Sequence, residues 1–137
     1  MTTRSKGFSL IELMVTVAIV GVLGMIAIPG YRNYVLRATR AEAKQALLAR
    51  AADLERCYTR NNTYVNAATT PCNVTLPDAS GANYKIQAAA LTANAFTLQA
   101  VPQGRQVADA KCGTFSLDDK GGRGATGPNG PTDCWGR

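Results

Sequence analysis

The chain has 137 residues, a length suited to one ordinary domain, and its 15 Lys+Arg against 9 Asp+Glu give a formal charge of +6. Apolar residues make up 46% and charged ones only 18%, below the usual quarter, and histidine is absent. These figures exclude a long disordered chain, remove the commonest general base and zinc ligand, and leave the moderate basicity to be read first as a solvated surface.

The missing charge is concentrated near the amino terminus. After the polar stretch Met-Thr-Thr-Arg-Ser-Lys-Gly, 21 residues from Phe8 to Ile28 carry a single charge, Glu12. As a helix they span about 31 Å, the thickness of a bilayer core. A secretory signal has a shorter apolar region with a small-x-small cleavage site close behind it. Here the nearest such triplet, Ala41-Glu42-Ala43, lies far downstream inside a helical pattern. The run therefore predicts a membrane helix. Charge leaves its orientation open, because Arg4 and Lys6 precede it and Arg32, Arg37, Arg40 and Lys44 follow it. A carboxylate at mid-bilayer costs about 2.5–3.5 kcal/mol, less near an end. Glu12 then either snorkels to the interface or meets a charge from another chain.

Pro29 removes one helical hydrogen bond and predicts a kink or local loosening, with Gly21 and Gly24 weakening the same stretch. Beyond Gly30 the sequence is Ala-rich and full of strong helix formers, and Leu36, Ala43, Leu47, Leu54 and Tyr58 form one apolar stripe. A continuous helix is expected from about Phe8 to about Thr59, roughly 78 Å long, which exceeds the diameter of the remaining domain. Its amino-terminal part is expected to extend beyond that domain and to need other helices around it.

Residues Thr59 to Asn83, with Pro71, Pro77, Gly81 and many Asn, Thr and Ser, read as a loop. Strand signals follow at Tyr84–Ala88, Ala95–Val101 and Cys112–Leu117, with Phe96, Leu98 and Ala100 on one face and Phe115 and Leu117 on another. The expected fold is α+β: a long helix packed on an antiparallel meander of three or four strands. Asp118-Asp119-Lys120-Gly121-Gly122 reads as a solvated turn, with a calcium site as the alternative. No metal or other cofactor is expected. The Asn61-Asn62-Thr63 and Asn73-Val74-Thr75 triplets fit the glycosylation pattern and are read as chance in an Asn/Thr-rich loop. The tail from Gly124 to Arg137 shows no periodicity, and Trp135 is a candidate to pack on the sheet.

The four cysteines, Cys57, Cys72, Cys112 and Cys134, contain no C-x-x-C spacing, which removes zinc-ribbon and thioredoxin-type readings. An even number in a small domain suggests two disulfides and an oxidising compartment, placing the carboxyl-terminal domain outside the cytoplasm. Of three connectivities, pairing of sequence neighbours, Cys57–Cys72 and Cys112–Cys134, closes the shortest loops and is the one expected.

Lys6-Gly7-Phe8-Ser9-Leu10-Ile11-Glu12-Leu13 resembles the processing site of a type IV prepilin, and the resemblance extends through the apolar helix to Pro29, Gly30 and Tyr31. It implies a leader of residues 1–7, an assembly helix of residues 8–29 and a pilin head of residues 30–137. It further implies cleavage between Gly7 and Phe8 by a prepilin peptidase, N-methylation of Phe8, and pairing of Glu12 with the amino-terminal charge of a neighbouring subunit. Other pilins, major and minor, and the inner-membrane assembly platform would be its partners. The chain would sit in the bacterial inner membrane as a single-pass precursor with a periplasmic head, then pass into an extracellular pilus. A minor pilin of the PilE type is the leading expectation, with roles in twitching motility, adhesion and DNA uptake. One alternative is a competence pilin that grips DNA through Lys85, Arg105, Lys111, Lys120, Arg123 and Arg137. Another is a type II secretion pseudopilin, which shares the same amino terminus. An enzyme is the weakest reading, since no convergent acid–base group is visible.

Overall fold

A computed structural model describes residues 7–65, 74, 76 and 83–136. Helix α1 (Leu10–Asn61) runs through Pro29 and Gly30 without interruption. The proline leaves the Met25 carbonyl without its usual amide donor, yet that single loss does not end the helix. Contact clustering divides the chain into two compact units, Met1–Val35 and Leu36–Arg137. The division falls six residues beyond the 29/30 boundary expected from the proline.

In the first unit, α1 is apolar on every side. From Leu10 at 77% to Ile28 at 58%, its leucines, isoleucines, valines and methionines are half or more exposed, and Val35 at the end of the unit is 38% exposed. The stripe that does bury belongs to the second unit: Ala43, Leu47, Leu54 and Cys57 recur at steps of four, seven and three, close to the helical repeat. Leu36 and Tyr58, expected on that stripe, are only half-buried at its two ends.

Four antiparallel strands follow in the order of the chain: β1 (Tyr84–Leu91), β2 (Phe96–Pro102), β3 (Phe115–Asp118) and β4 (Arg123–Ala125). Period-two alternation buries Tyr84 and Ile86 on β1, Phe96, Leu98 and Ala100 on β2, and Phe115 and Leu117 on β3. Register aligns them in rows across the sheet, Ile86–Ala100–Phe115–Ala125 and Ala88–Leu98–Leu117–Arg123. Between Ala88 and Ala90 the register shifts, leaving Ala89 as the extra residue of a bulge on the edge strand. These faces and the α1 stripe form one core, to which Tyr64, Val74 and Trp135 also contribute.

Two short elements went unpredicted. A 3-10 turn (Gly104–Ala108) follows β2, and a six-residue helix α2 (Gly130–Trp135) ends the head. Cys112 and Cys134 are joined in a disulfide with an S–S distance of 2.08 Å. The bond closes the segment that carries β3, β4 and α2. Cys57 is also disulfide-bonded, while Cys72 lies outside the described residues, as do the leader residues 1–6, most of the 66–82 loop, and Arg137.

Candidate functional site

Two groups of residues carry the chemistry: the start of α1, and the contacts that hold the rest of α1 in the head. Gly7 and Phe8 precede the helix, and Phe8 is 71% exposed. Helix geometry begins when the Leu13 amide donates to the Ser9 carbonyl at 3.2 Å. Glu12 therefore stands in the first turn, where a carboxylate faces the positive end of the helix dipole. Its side chain is exposed and has no charged partner among the described residues. The described residues around this acid are exposed Leu, Ile, Met and Val, and none of them supplies a cation.

In the head, α1 is fastened by polar contacts that the apolar stripe does not reveal. The Arg40 guanidinium donates to both Asp109 carboxylate oxygens, Nε to Oδ2 at 2.6 Å and Nη2 to Oδ1 at 2.7 Å. The pair is shielded, with side-chain exposures of 14% and 2%. The Asp109 carboxylate holds the Arg40 pKa above its ordinary value, against the opposing effect of burial. Gln106 completes the cluster. Its amide nitrogen donates to the Leu36 carbonyl at 3.2 Å and to Asp109 at 3.1 Å, lies 2.9 Å from the Tyr84 hydroxyl, and its amide oxygen accepts from Thr39. Burial pushes the Tyr84 phenol up to about 12. Further along, Lys44 donates to the Trp135 carbonyl at 3.0 Å. At the far end, the Tyr64 hydroxyl donates to Glu55 at 2.9 Å while its ring stacks on Tyr58 and meets Phe96 edge-on. Burial, followed by that hydrogen bond, pushes the Tyr64 phenol up to about 12. Arg40 and Lys44 thus bind the carboxyl-terminal half of the head. No spacing in the sequence links position 40 to position 109.

The Asp118 turn is closed by its own backbone. One Asp118 carboxylate oxygen accepts the Lys120 and Gly122 amides at 3.0 and 2.6 Å. That is the bonding of an Asx-type turn. No cluster of three or more His, Cys, Asp or Glu suited to a metal occurs among the described residues.

Among the described residues, the basic residues considered for DNA are spread over several elements. Lys85 sits on β1, and Arg123 on β4 at the opposite edge of the sheet. Arg105 lies in the 3-10 turn, and Arg137 lies outside the described residues. Lys111, Lys120 and Arg123 are exposed; Lys120 and Arg123 belong to the disulfide-closed segment and Lys111 immediately precedes it. Arg123 stacks over the Trp135 ring at 5.2 Å, and the indole donates to the Gly124 carbonyl at 2.9 Å. Trp135 also meets Phe115 edge-on at 5.8 Å, so it packs on the sheet as expected. Gly127 lets this segment fold back: a Cβ there would fall 2.2 Å from the Lys111 carbonyl oxygen.

Comparison with known proteins matches two family models to this chain. Residues 29–116 match the type IV minor pilin ComP, DNA uptake sequence receptor, and residues 2–28 match the prokaryotic N-terminal methylation motif. The type IV major pilin protein PilE1 of Neisseria gonorrhoeae is 54% identical over 43 residues, 31% of this chain and 26% of that protein. Fimbrial protein EcpC of Eikenella corrodens is 55% identical over 38 residues, 28% of this chain and 25% of that protein. The chain thus spans about a quarter of the length of these curated relatives. Among solved structures, a type IV pilin from Shewanella oneidensis is 33% identical with a TM-score of 0.52, covering 74% of this chain and 99% of that one. The non-core minor pilin PilV of Neisseria meningitidis shares the fold at 22% identity and a TM-score of 0.54, covering 70% and 91%.

Proposed function

Because the chain belongs to the type IV pilin family, alongside the minor pilin ComP, we propose that it is a minor subunit of type IV pili, held in the inner membrane as a precursor until assembly. One observation carries this reading. A helix with a window long and apolar enough to cross a membrane leaves that window unburied, begins at a methylation motif, and holds in its first turn one acid with no ion pair among the described residues.

Prepilin peptidase cuts between Gly7 and Phe8, removing Arg4 and Lys6 and lowering the formal charge from +6 to +4. Phe8 is N-methylated and begins the mature chain. In the bilayer the apolar run is solvated by lipid; in the filament it is solvated by the same run of other pilins. Glu12 selects register there, because a neighbour's amino-terminal charge placed out of reach leaves two ions unpaired in an apolar core. The role is structural rather than enzymatic, and the head's disulfide segment and helix clamps keep it intact outside the cell. The test is mass spectrometry of sheared surface filaments. The reading expects a chain that starts at methylated Phe8, present at a small ratio to the main subunit. Its absence from filaments in a strain that processes it normally would overturn the reading.

A second reading is favoured by the description of the matched family model, which names a DNA uptake sequence receptor. In it, the exposed cations in and next to the disulfide-closed segment, Lys111, Lys120 and Arg123, supply the phosphate contacts. Duplex DNA should then retard the processed protein, with affinity falling steeply as salt rises, and Lys111→Ala with Lys120→Ala should weaken binding. No retardation at low salt disposes of this reading and leaves the structural one intact.

A further inference from the structure

The segment that follows the apolar run, Tyr31-Arg32-Asn33-Tyr34, is helical and exposed along its length. Tyr31 and Tyr34 are each 70% exposed, and Arg32 is exposed. None of the three has an ion pair, side-chain hydrogen bond or ring contact among the described residues. Two later cations of α1 behave differently, since Arg40 is taken by Asp109 and Lys44 by the Trp135 carbonyl. Large amphipathic rings and a fixed cation without partners suit a boundary between oil and water.

Axial position identifies that boundary. With Phe8–Ile28 filling a hydrocarbon core of about 30 Å, the headgroup layer occupies roughly 5–8 Å beyond each end. Counting 1.5 Å per residue from Ile28 puts Tyr31 about 4.5 Å, Arg32 about 6 Å and Tyr34 about 9 Å along the axis. The three therefore bracket the phosphate layer. Residues three apart on a helix share a face, so the tyrosine rings stand together, with Arg32 about 100° from Tyr31 and about 160° from Tyr34 around the axis. Tyrosine rings settle at headgroup depth, and a guanidinium donates two parallel hydrogen bonds to a phosphate.

We propose that Tyr31, Arg32 and Tyr34 form a collar that binds phospholipid phosphates of the leaflet at the carboxyl end of the apolar run and fixes how deep the helix sits before assembly. The proposal rests on the membrane reading of Phe8–Ile28. Without the collar, an apolar run of near-uniform composition could slide by a residue or two at little cost.

The test uses the full processed chain in vesicles of phosphatidylcholine and phosphatidylglycerol. No free cysteine is present among the described residues, so a nitroxide can be placed at Val20→Cys or Asn33→Cys. Relative accessibility to oxygen and to a water-soluble nickel chelate then reports depth. The expected result is a Val20 label inside the hydrocarbon and an Asn33 label at the phosphate layer. Replacing Tyr31→Ser, Arg32→Gln and Tyr34→Ser together should move the Asn33 label by two or more residues' rise, about 3 Å, while Arg32→Lys with both tyrosines kept should hold it. An Asn33 label that does not move in the triple variant, with Val20 still in the hydrocarbon, overturns the collar and leaves the membrane reading standing. Spin–spin broadening at Asn33 that disappears on dilution with unlabelled chain assigns the surface to a second copy and also overturns it. A Val20 label exposed to water overturns the membrane reading itself.

Discussion

Between Phe8 and Val35 the large apolar side chains lie open, whereas from Leu36 onward only Leu48 and Val107 among them are exposed in the described residues. Both regions share one continuous helix, although the tail is rich in Val, Ile and Gly and the head part in Ala, Leu, Arg and Glu, so helix formation itself does not separate them. Composition around the helix does. In the head, Ala43, Leu47 and Leu54 alternate with Arg, Lys, Glu and Gln, which leaves one side to bury. In the tail, nearly every position is apolar, so no single side can satisfy it. A stripe calls for one partner surface within the same chain; an apolar cylinder calls for a surrounding medium, either lipid or other helices. The comparison teaches that folding of the head and assembly of the tail are separable problems, posed by different patterns on the same element.

Substitutions can break the separation. The largest effect is expected at Glu12. Glu12→Val should leave membrane insertion and leader removal unchanged while incorporation into sheared filaments falls about tenfold or more, since 1.4 kcal/mol already corresponds to tenfold. Immunoblots of membrane and sheared fractions check it, and normal incorporation would falsify the register argument. Next in size, Arg40→Met should destabilise the head by about 3–5 kcal/mol, because Asp109 is left buried without its cation. Urea unfolding of the full chain in detergent, followed by near-ultraviolet circular dichroism, measures this, and the tail's insertion should not change.

Leu47→Ala should cost about 2–5 kcal/mol by opening a cavity on the α1 stripe, whereas the same truncation at Leu23 should leave head stability within about 0.5 kcal/mol. Equal effects at the two positions would contradict the separation. Replacing Cys112 and Cys134 together by serine should remove about 3 kcal/mol, read as a lower midpoint in the same urea titration.

The smallest effect is a dependence on alkaline pH. Tyr64 and Tyr84 ordinarily ionise near 10 and are pushed up to about 12 in the folded head. The folded state therefore holds these protons more tightly, and their contribution to stability is complete below pH 10 and lost as pH rises from 10 to about 12. Tyr64→Phe should flatten that decline without removing it, because Tyr84 contributes the remainder. A slope unchanged by Tyr64→Phe would show that the Tyr64 proton does not matter to folding.

Much of this was legible in the residues, for physical reasons that can be named. The processing motif and the apolar run are contiguous, so their meaning needs no tertiary information, and the family matches agree with them. The burial of Phe96, Leu98, Ala100, Phe115 and Leu117 follows from period-two alternation, which is local. Other features could not be read that way. Helix α2 is six residues long and starts Gly-Pro, too short for periodicity to register, and is held by the disulfide and by Trp135 on Phe115. The 3-10 turn exists around Gln106, whose partners at positions 36, 39, 84 and 109 are scattered across the chain. Strand β4 spans three residues and is defined only by its register with β3.

The sequence by itself determined that this chain carries a membrane-length helix with one acid, that a single stripe of that helix would bury, and that strands would cover it. These follow from patterns within a few turns, where the hydrophobic effect acts on neighbouring residues alike. Only the tertiary structure decided which cations would be spent inside the head and which left outside it. Arg40 and Lys44 find Asp109 and the Trp135 carbonyl through contacts 69 and 91 residues away, while Arg32 finds no partner among the described residues. Whether a charge is paired depends on where the fold brings its partner, and no local pattern contains that distance.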